Sequence, residues 1–169
     1  PGSLVHFLCT CGPVGYWGKA PGTLGSLIGL ALYATVFFPL GLWPQLLLTG
    51  VLAGVTVLIC DEGERRLQKR DPGEMVLDEV VAVPLCFWGL QGSMAETGGT
   101  WLYLLAGFTL FRLYDIAKPL GIKKLQDLPG GLGVVLDDLA AAVAVNLTLR
   151  LFLFAYAHGA WGTRRAPVR

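Results

Sequence analysis

The segment from Ala20 to Cys60 contains no Asp, Glu, Lys or Arg. As a helix, these 41 residues would extend about 60 Å, which is twice the thickness of a hydrocarbon core. Pro39, Gly41 and Pro44 lie in the middle of the run, where a turn between two spans would fall. In the whole chain, 54% of the residues are hydrophobic and only 15% are charged. In soluble domains, about a quarter of the residues are charged. The sequence therefore predicts a membrane protein.

The composition also excludes several other classes of protein. Apolar residues are too frequent for intrinsic disorder, and a net charge of +1 provides no basic field for nucleic acid. A length of 169 residues indicates one domain, which we take as residues 1–169. The four cysteines match neither a zinc-site spacing nor a disulfide framework, and a metal site at Cys9 and Cys11 is disfavoured. No protein partner is inferable from these features.

Five apolar segments are separated by short polar connections, and strand-like alternation does not persist in any of them. They cover residues 22–38, 44–60, 75–92, 100–116 and 135–158. This pattern predicts an all-α fold, a polytopic membrane bundle of about four to five apolar helices.

The charges of the connections predict the orientation in the membrane. Segments 61–74 and 117–131 carry several Lys and Arg residues and are expected on the cytoplasmic side, whereas 92–100 carries only Glu96 and is expected outside. Five full crossings would place Arg164, Arg165 and Arg169 outside, against this rule. Three explanations stay open: a re-entrant segment such as the Gly-rich one, an incomplete last crossing, or a tail that breaks the rule.

Acidic residues at the edges of the apolar segments are the main candidates for chemistry. All of them lie on the side assigned to the basic connections, and they are Asp78, Glu79, Asp115, Asp137 and Asp138. An ionised carboxylate at the bilayer centre costs at least ~2.5–3.5 kcal/mol, so such residues face a partner or a cavity. Acidic pairs from neighbouring helices can surround a hard cation such as Mg²⁺. Structural ion pairs with Lys19, Arg112 or Lys118, or helix N-caps, are the alternatives.

Two further stretches suggest a phosphate site beside these acids. Residues 18–29 are rich in glycine and carry Lys19, Thr23 and Ser26, so backbone N–H groups between Thr23 and Ser26 are expected to point at a phosphate over the acids. Arg112 and Lys118 flank Asp115 at three-residue spacing and suit a phosphate held against a metal. The alternatives are helix packing through the small residues and a local chain of salt bridges.

Taken together, four motifs resemble those of the phosphatidylglycerophosphatase A family, a family of small bacterial membrane lipid phosphatases. The motifs occur in the family's order and at similar spacing over roughly residues 12–155. They are A-P-G-T-L-G-S-L at 20–27, D-P-G-E-M-V-L-D-E-V-V at 71–81, F-R-L-Y-D-I-A-K-P at 111–119 and G-G-L-G-V-V-L-D-D at 130–138. Ala82 stands where the family often has Gly, which affects local packing more than chemistry.

The resemblance implies Mg²⁺-dependent hydrolysis of phosphatidylglycerol phosphate to phosphatidylglycerol and phosphate, at the cytoplasmic face of the bacterial inner membrane. We expect Mg²⁺ ligands among Asp71, Asp78, Glu79, Asp137 and Asp138, and catalytic roles for Asp78, Glu79, Asp115, Asp137 and Asp138. Substrate contacts are expected from Lys19, Thr23, Ser26, Arg112 and Lys118. Attack by water and an aspartyl-phosphate intermediate both stay open. So do three other classes: another phospholipid phosphatase or phosphotransferase, a cation transporter with membrane carboxylates, and a soluble all-α relative.

Overall fold

The computed structural model describes residues 4–119 and 121–163, and within these ranges every regular element is helical. Three 3₁₀ turns, at Val14–Tyr16, Val83–Phe87 and Ile122–Asp127, and one π-helical turn at Tyr33–Phe37 join or extend the α-helices. The α-helices are α1 Leu4–Cys9, α2 Pro21–Leu32, α3 Leu42–Leu67, α4 Leu77–Ala82, α5 Gln91–Thr97, α6 Thr100–Ala117 and α7 Gly131–Thr163. The prediction of an all-α chain is therefore confirmed for the described residues.

Four of the five apolar segments form long helices, and the third does not. Residues 75–92 contain only α4 and the 3₁₀ turn that follows it, because Pro84 has no N–H to continue the α-helical ladder. These six and five residues extend about 19 Å, which is shorter than the roughly 30 Å hydrocarbon core. The third segment is thus a buried central element, in which Asp78 to Pro84 are all buried.

Two helices are long and apolar enough to cross a membrane. They are Leu42–Leu67 and Gly131–Tyr156, with mean hydropathies of 1.9 and 1.8 in their most apolar windows. Only 22% and 28% of these windows are buried inside the protein, whereas the core helix of a soluble protein is mostly buried. Four to five crossings and a re-entrant segment stay predictions. The arginine-rich tail, with Arg164, Arg165 and Arg169, lies outside the described residues.

Contacts between helix ends show how the chain alternates in direction. At one end, the C-terminal part of α6 approaches the beginnings of α2 and α4, because Arg112 contacts both Ser26 and Glu79. At the opposite end, the Trp88 indole N–H donates to the carbonyl of Leu42, at the start of α3. We call the first of these the acid end, defined by Asp78, Glu79, Asp137 and Asp138.

Close packing of α2 on α4 requires small residues on α2. A Cβ added at Gly29 would lie 2.8 Å from the Val80 carbonyl oxygen and 2.9 Å from Val83 Cβ. One added at Gly25 would lie 2.8 Å from Val76 Cβ. The backbones therefore approach through the glycine face of α2, as small residues permit in membrane helices. This contact fixes α4, and with it two of the acids, against the beginning of α2.

A buried amide anchors the central element to α7 at the opposite end. Asn146 Nδ2 donates to the carbonyls of Cys86 and Trp88, at 3.0 Å each, and Asn146 Oδ1 accepts from Arg150 Nε at 2.8 Å. Arg150 Nη2 also donates to the Trp88 carbonyl at 2.7 Å. These bonds pair carbonyl groups that the irregular turn after Phe87 leaves without helical partners.

Asn146→Ala is expected to lower the free energy of unfolding by about 1–3 kcal/mol, since it leaves buried carbonyls and the Arg150 guanidinium short of partners. Chemical denaturation in a mild detergent would measure the loss. Thr109→Ala is the matched control, because Thr109 is exposed and bonds only its own helix through the Leu105 carbonyl. Equal stability of the two variants would show that the Asn146 network does not hold the central element.

Candidate active site

A cavity of about 180 Å³ lies at the acid end of the bundle. It is bounded by the segment that leads into α4, the last turn of α6 and the first two turns of α7. The residues that line it are Asp71, Gly73, Met75, Asp78, Glu79, Asp115, Lys118, Val134, Asp137 and Asp138. Seven of these ten were selected from the sequence. The other three, Gly73, Met75 and Val134, lie within the motifs at 71–81 and 130–138. These motifs were the sequence feature from which the three residues could have been identified.

Two short pieces of helix bring four of the acids into this cavity. Asp78 and Glu79 occupy the first turn of α4, and Asp137 and Asp138 occupy the second turn of α7. Adjacent residues on a helix point in directions about 100° apart, so two acids of one pair cannot face the same spot. The contact between α4 and α7 compensates for this by directing both pairs into one space. All four residues are buried, with at most 8% of their surface exposed.

Three of these carboxylates form a compact cluster. Asp78, Glu79 and Asp138 each offer an oxygen, and these oxygens lie within 4.8 Å of one another. Asp78 Oδ1, Glu79 Oε2 and Asp138 Oδ2 are buried without a hydrogen-bond partner. Burial and mutual repulsion both disfavour three ionised carboxylates at this separation unless a cation balances them. The cluster fits a hard divalent cation, which prefers oxygen ligands.

Lys118 provides a cation on the cavity wall. Its ammonium donates to Asp137 Oδ2 and lies 3.9 Å from Asp115 Oδ1. Lys118 ends α6 in the left-handed conformation, with φ at 42°, and Pro119 follows it and prevents the helix from continuing. This backbone conformation lets the side chain turn back across the cavity from α6 to α7. Lys118 is therefore placed to meet an anion that enters beside the cluster.

Arg112 lies next to the cavity residues but does not line the cavity itself. Its Nη1 is 2.7 Å from Asp115 Oδ2, 3.5 Å from Glu79 Oε1 and 3.1 Å from Ser26 Oγ. The side chain is only 17% exposed. Arg112 thus joins α6, α4 and α2, and its contacts are with protein groups on three helices. Direct contact of Arg112 with a phosphate stays a prediction.

The Gly-rich start of α2 lies next to Arg112, but its side chains do not line the cavity. Lys19 is exposed before the helix, and Thr23 is half-buried. Ser26 is fully buried, and its hydroxyl donates to the Gly22 carbonyl at 2.8 Å. Ser26 therefore lies next to the site, where it contacts Arg112. Contacts of Lys19 and Thr23 with a phosphate stay predictions.

Asp71 lies at the outer rim of the cavity. It is exposed, and its carboxylate accepts a hydrogen bond from Gln126 Nε2 at 3.2 Å. Nearby, Arg70 donates to the carbonyls of Gln126 and Leu128. The two basic connections, 61–74 and 117–131, therefore meet at this rim. Asp71 is more open to solvent than the three clustered acids.

Comparisons with known proteins identify the family of this chain. The phosphatidylglycerophosphatase A family model matches residues 7–153, which include every residue of the cavity. Phosphatidylglycerophosphatase A of Escherichia coli is 30% identical over 73% of this chain and 68% of its own length. That of Haemophilus influenzae is 31% identical over 82% of each chain. A Bacteroides thetaiotaomicron protein, provisionally named a phosphatidylinositol-3-phosphatase, is 33% identical over 76% of this chain and 80% of its own.

Comparison with solved structures finds no match. The assignment therefore rests on the sequence matches, of which the family model covers all four motifs within residues 7–153. The chain belongs to the phosphatidylglycerophosphatase A family and is a phosphatase enzyme.

Proposed function

We propose that this protein hydrolyses the terminal phosphomonoester of phosphatidylglycerol phosphate, with Mg²⁺ as cofactor, at the cytoplasmic face of a bacterial inner membrane. The observation that carries the proposal is the cluster of Asp78, Glu79 and Asp138, whose unpaired buried oxygens lie in a cavity that also contains Lys118. A cation-binding group next to a fixed ammonium suits a phosphoryl group, because both can balance its negative charge. The names of the Escherichia coli and Haemophilus influenzae relatives support the choice of lipid.

Asp78, Glu79 and Asp138 would hold Mg²⁺, since they provide the unpaired oxygens. When bound, this ion supplies Lewis-acid polarisation of a phosphoryl oxygen and lowers the pKa of a bound water. Of the other two expected ligands, Asp137 is engaged by Lys118 and Asp71 lies at the exposed rim. We therefore assign the metal to the three clustered acids and not to Asp137 or Asp71.

Lys118 and Asp137 would act on the substrate together. As the phosphate enters, the Lys118 ammonium moves to a phosphoryl oxygen, and this releases Asp137 Oδ2 from its ion pair. The freed carboxylate accepts a proton from the attacking water as the new P–O bond forms. The bond to the glycerol oxygen breaks, and that oxygen takes up a proton from solvent water, to which Asp137 then returns the proton that it accepted. Asp115, which Arg112 contacts at 2.7 Å, lies beside Lys118 and faces its ammonium group.

The position of the cavity supports a cytoplasmic active site. Its rim is formed by the two connections that carry exposed basic residues, among them Arg65, Arg66, Lys123 and Lys124. Basic connections favour the cytoplasmic side of a membrane. The apolar helices α3 and α7 extend from this end toward the opposite one. A lipid can therefore present its phosphate to the cavity while its acyl chains stay in the bilayer.

Phosphate release by the purified protein in detergent micelles tests this function. With phosphatidylglycerol phosphate as substrate, we expect release that rises with Mg²⁺ and stops on addition of EDTA. Restoration by excess Mg²⁺ would separate loss of the metal from denaturation. Equal release with and without Mg²⁺ would contradict the metal site, and no release from this lipid would contradict the substrate assignment.

Phosphatidylinositol 3-phosphate is a second candidate substrate, because the Bacteroides thetaiotaomicron relative is provisionally named for it. Both lipids carry a phosphomonoester, so the cavity residues described above suit either. The same assay with the two lipids at equal surface concentration would compare their kcat/KM values. We expect phosphatidylglycerol phosphate to be preferred, and a higher kcat/KM for the inositol lipid would reverse that choice.

A further inference from the structure

The glycine-rich motif at 20–27 contacts the acid cluster through Glu79 and does not line the cavity. Ser26 Oγ donates to the Gly22 carbonyl and accepts from Arg112 Nη1 at 3.1 Å. The same guanidinium nitrogen lies 3.5 Å from Glu79 Oε1 and 2.7 Å from Asp115 Oδ2. A continuous chain of polar contacts therefore runs from α2, through Arg112, to one of the three clustered carboxylates.

Gly22 is in direct contact with the same ion pair. A Cβ added at Gly22 would overlap Glu79 Oε1 and would lie 3.1 Å from Arg112 Nη2 and 3.3 Å from Nη1. The absence of a side chain at this position is thus what allows the Glu79 carboxylate and the guanidinium to lie against the first turn of α2. Any larger residue must displace one of the two charged groups.

We propose that the first two turns of α2 are a positioning element for the metal site, in which Gly22 and Ser26 position Arg112 so that Arg112 holds Glu79 beside Asp78 and Asp138. The inference rests on the proposed function, since it concerns the same carboxylate cluster. It assigns to the motif a role other than the phosphate contact expected from the sequence. Gly22, Ser26 and Arg112 are positioning residues, because they act through Glu79.

Two observations favour this role over direct binding of phosphate. First, Arg112 is already engaged with Ser26, Glu79 and Asp115, and it does not line the cavity. Second, Ser26 is fully buried, and its hydroxyl is occupied by Gly22 and Arg112. Lys118, by contrast, lines the cavity directly. An arginine that contacts two carboxylates at once orients both of them, which a lysine at that position does less well.

Gly22→Ala tests the proposal most directly, with Gly50→Ala as the matched control. A Cβ at Gly50 meets nothing within 4 Å, and alanine is intrinsically favoured over glycine in a helix at both positions. The readout is the Mg²⁺ concentration that gives half of the maximal thermal stabilisation of the purified protein without substrate. We expect Gly22→Ala to raise this concentration about tenfold or more, and Gly50→Ala to change it less than about twofold.

Ser26→Ala provides a second, milder variant in case Gly22→Ala does not fold. Its control is Thr35→Ala, since Thr35 makes the same type of bond to the carbonyl four residues earlier but is exposed. We expect Ser26→Ala to raise the half-saturating Mg²⁺ concentration severalfold and Thr35→Ala to leave it unchanged. Arg112→Lys should retain part of the Mg²⁺ affinity, and Arg112→Gln should retain less, because only the first keeps a charge near Glu79.

The results separate this inference from the proposed function. If Mg²⁺ does not stabilise the unaltered protein, the metal site itself is wrong. If Mg²⁺ stabilises the unaltered, Gly22→Ala and Ser26→Ala proteins at the same concentration, the metal site stands and the positioning role is wrong. An unchanged Mg²⁺ requirement together with a raised KM for the lipid would instead show that the first turn of α2 binds the phosphate.

Discussion

Asp138→Asn is expected to reduce phosphate release by at least about a hundredfold while the protein stays folded. The amide keeps the shape of the carboxylate but removes one of the three negative charges that we assign to the metal. Asp138 is 3% exposed and carries an unpaired buried oxygen, so the side chain has no structural partner at that atom to lose. Phosphate release at saturating lipid, across a range of Mg²⁺ concentrations, would measure the effect.

The same variant also distinguishes a metal site from a structural ion pair. Removal of one of several clustered like charges relieves repulsion, so thermal stability without Mg²⁺ should hold or rise, and stabilisation by Mg²⁺ should shrink. A structural pair would give lower stability and nearly normal activity. Asp127→Asn, at an exposed position, is the control. We expect Asp78→Asn to behave like Asp138→Asn, and full activity in Asp78→Asn, Asp137→Asn and Asp138→Asn would refute the metal site.

Lys118→Gln is expected to reduce kcat/KM by about a hundredfold, with a clear rise in KM for the lipid. Lys118 is the cation on the cavity wall, so its loss removes an interaction with the phosphoryl group. It also leaves Asp115 and Asp137 without this partner, which makes the cavity more repulsive to an anion. Steady-state kinetics with saturating Mg²⁺ would measure the change.

Lys123→Gln is the matched control, because Lys123 is exposed in the turn after α6 and has the same charge. Its kcat/KM should change less than about twofold. If both variants lost activity equally, attraction of the whole basic rim for the lipid surface would explain the effect. If Lys118→Gln kept its KM and kcat, the phosphate would have to be bound by other residues.

The arrangement of helices was predictable where the chain is uniformly apolar. The uncharged run from Ala20 to Cys60 predicted two helices with a turn near its prolines, and α2 and α3 are joined there, between Phe37 and Leu42. Segments 100–116 and 135–158 also became helices close to their expected bounds. The third segment was not distinguishable from these by composition. Its interruption depends on Pro84 and on packing of α4 against α2, α3 and α7, which hydropathy does not report.

The sequence predicted which residues lie at the site, but not which of them line the cavity and which contact other protein groups. Charged residues in an apolar chain are conspicuous, since they are costly to place there without a function or a partner. The sequence could not separate Arg112 from Lys118, because both lie at three-residue spacing from Asp115 on the same helix. The structure separates them through their surroundings, with Arg112 enclosed by α2 and α4 and Lys118 turned back over the cavity.

The glycine-rich motif shows the same limit. Its residues suit either an anion at a helix start or close packing between helices, and the sequence left both open. The close packing becomes visible only with the partner segment in place, because Glu79 lies against Gly22 and Val76 against Gly25, whereas the contact with an anion stays a prediction.

By itself, the sequence determined the all-helical class, the apolar character of the helices, the family and the acids that we propose for the chemistry. These follow from the pattern of residues along the chain, which reflects local helix formation and the cost of charge in an apolar environment. The tertiary structure alone decided which three carboxylates have oxygens within 4.8 Å of one another, and which basic side chain faces the cavity. Those choices depend on contacts between residues that are 19 to 86 positions apart, such as Lys118 with Asp137 and Arg112 with Ser26, and local sequence patterns do not encode them.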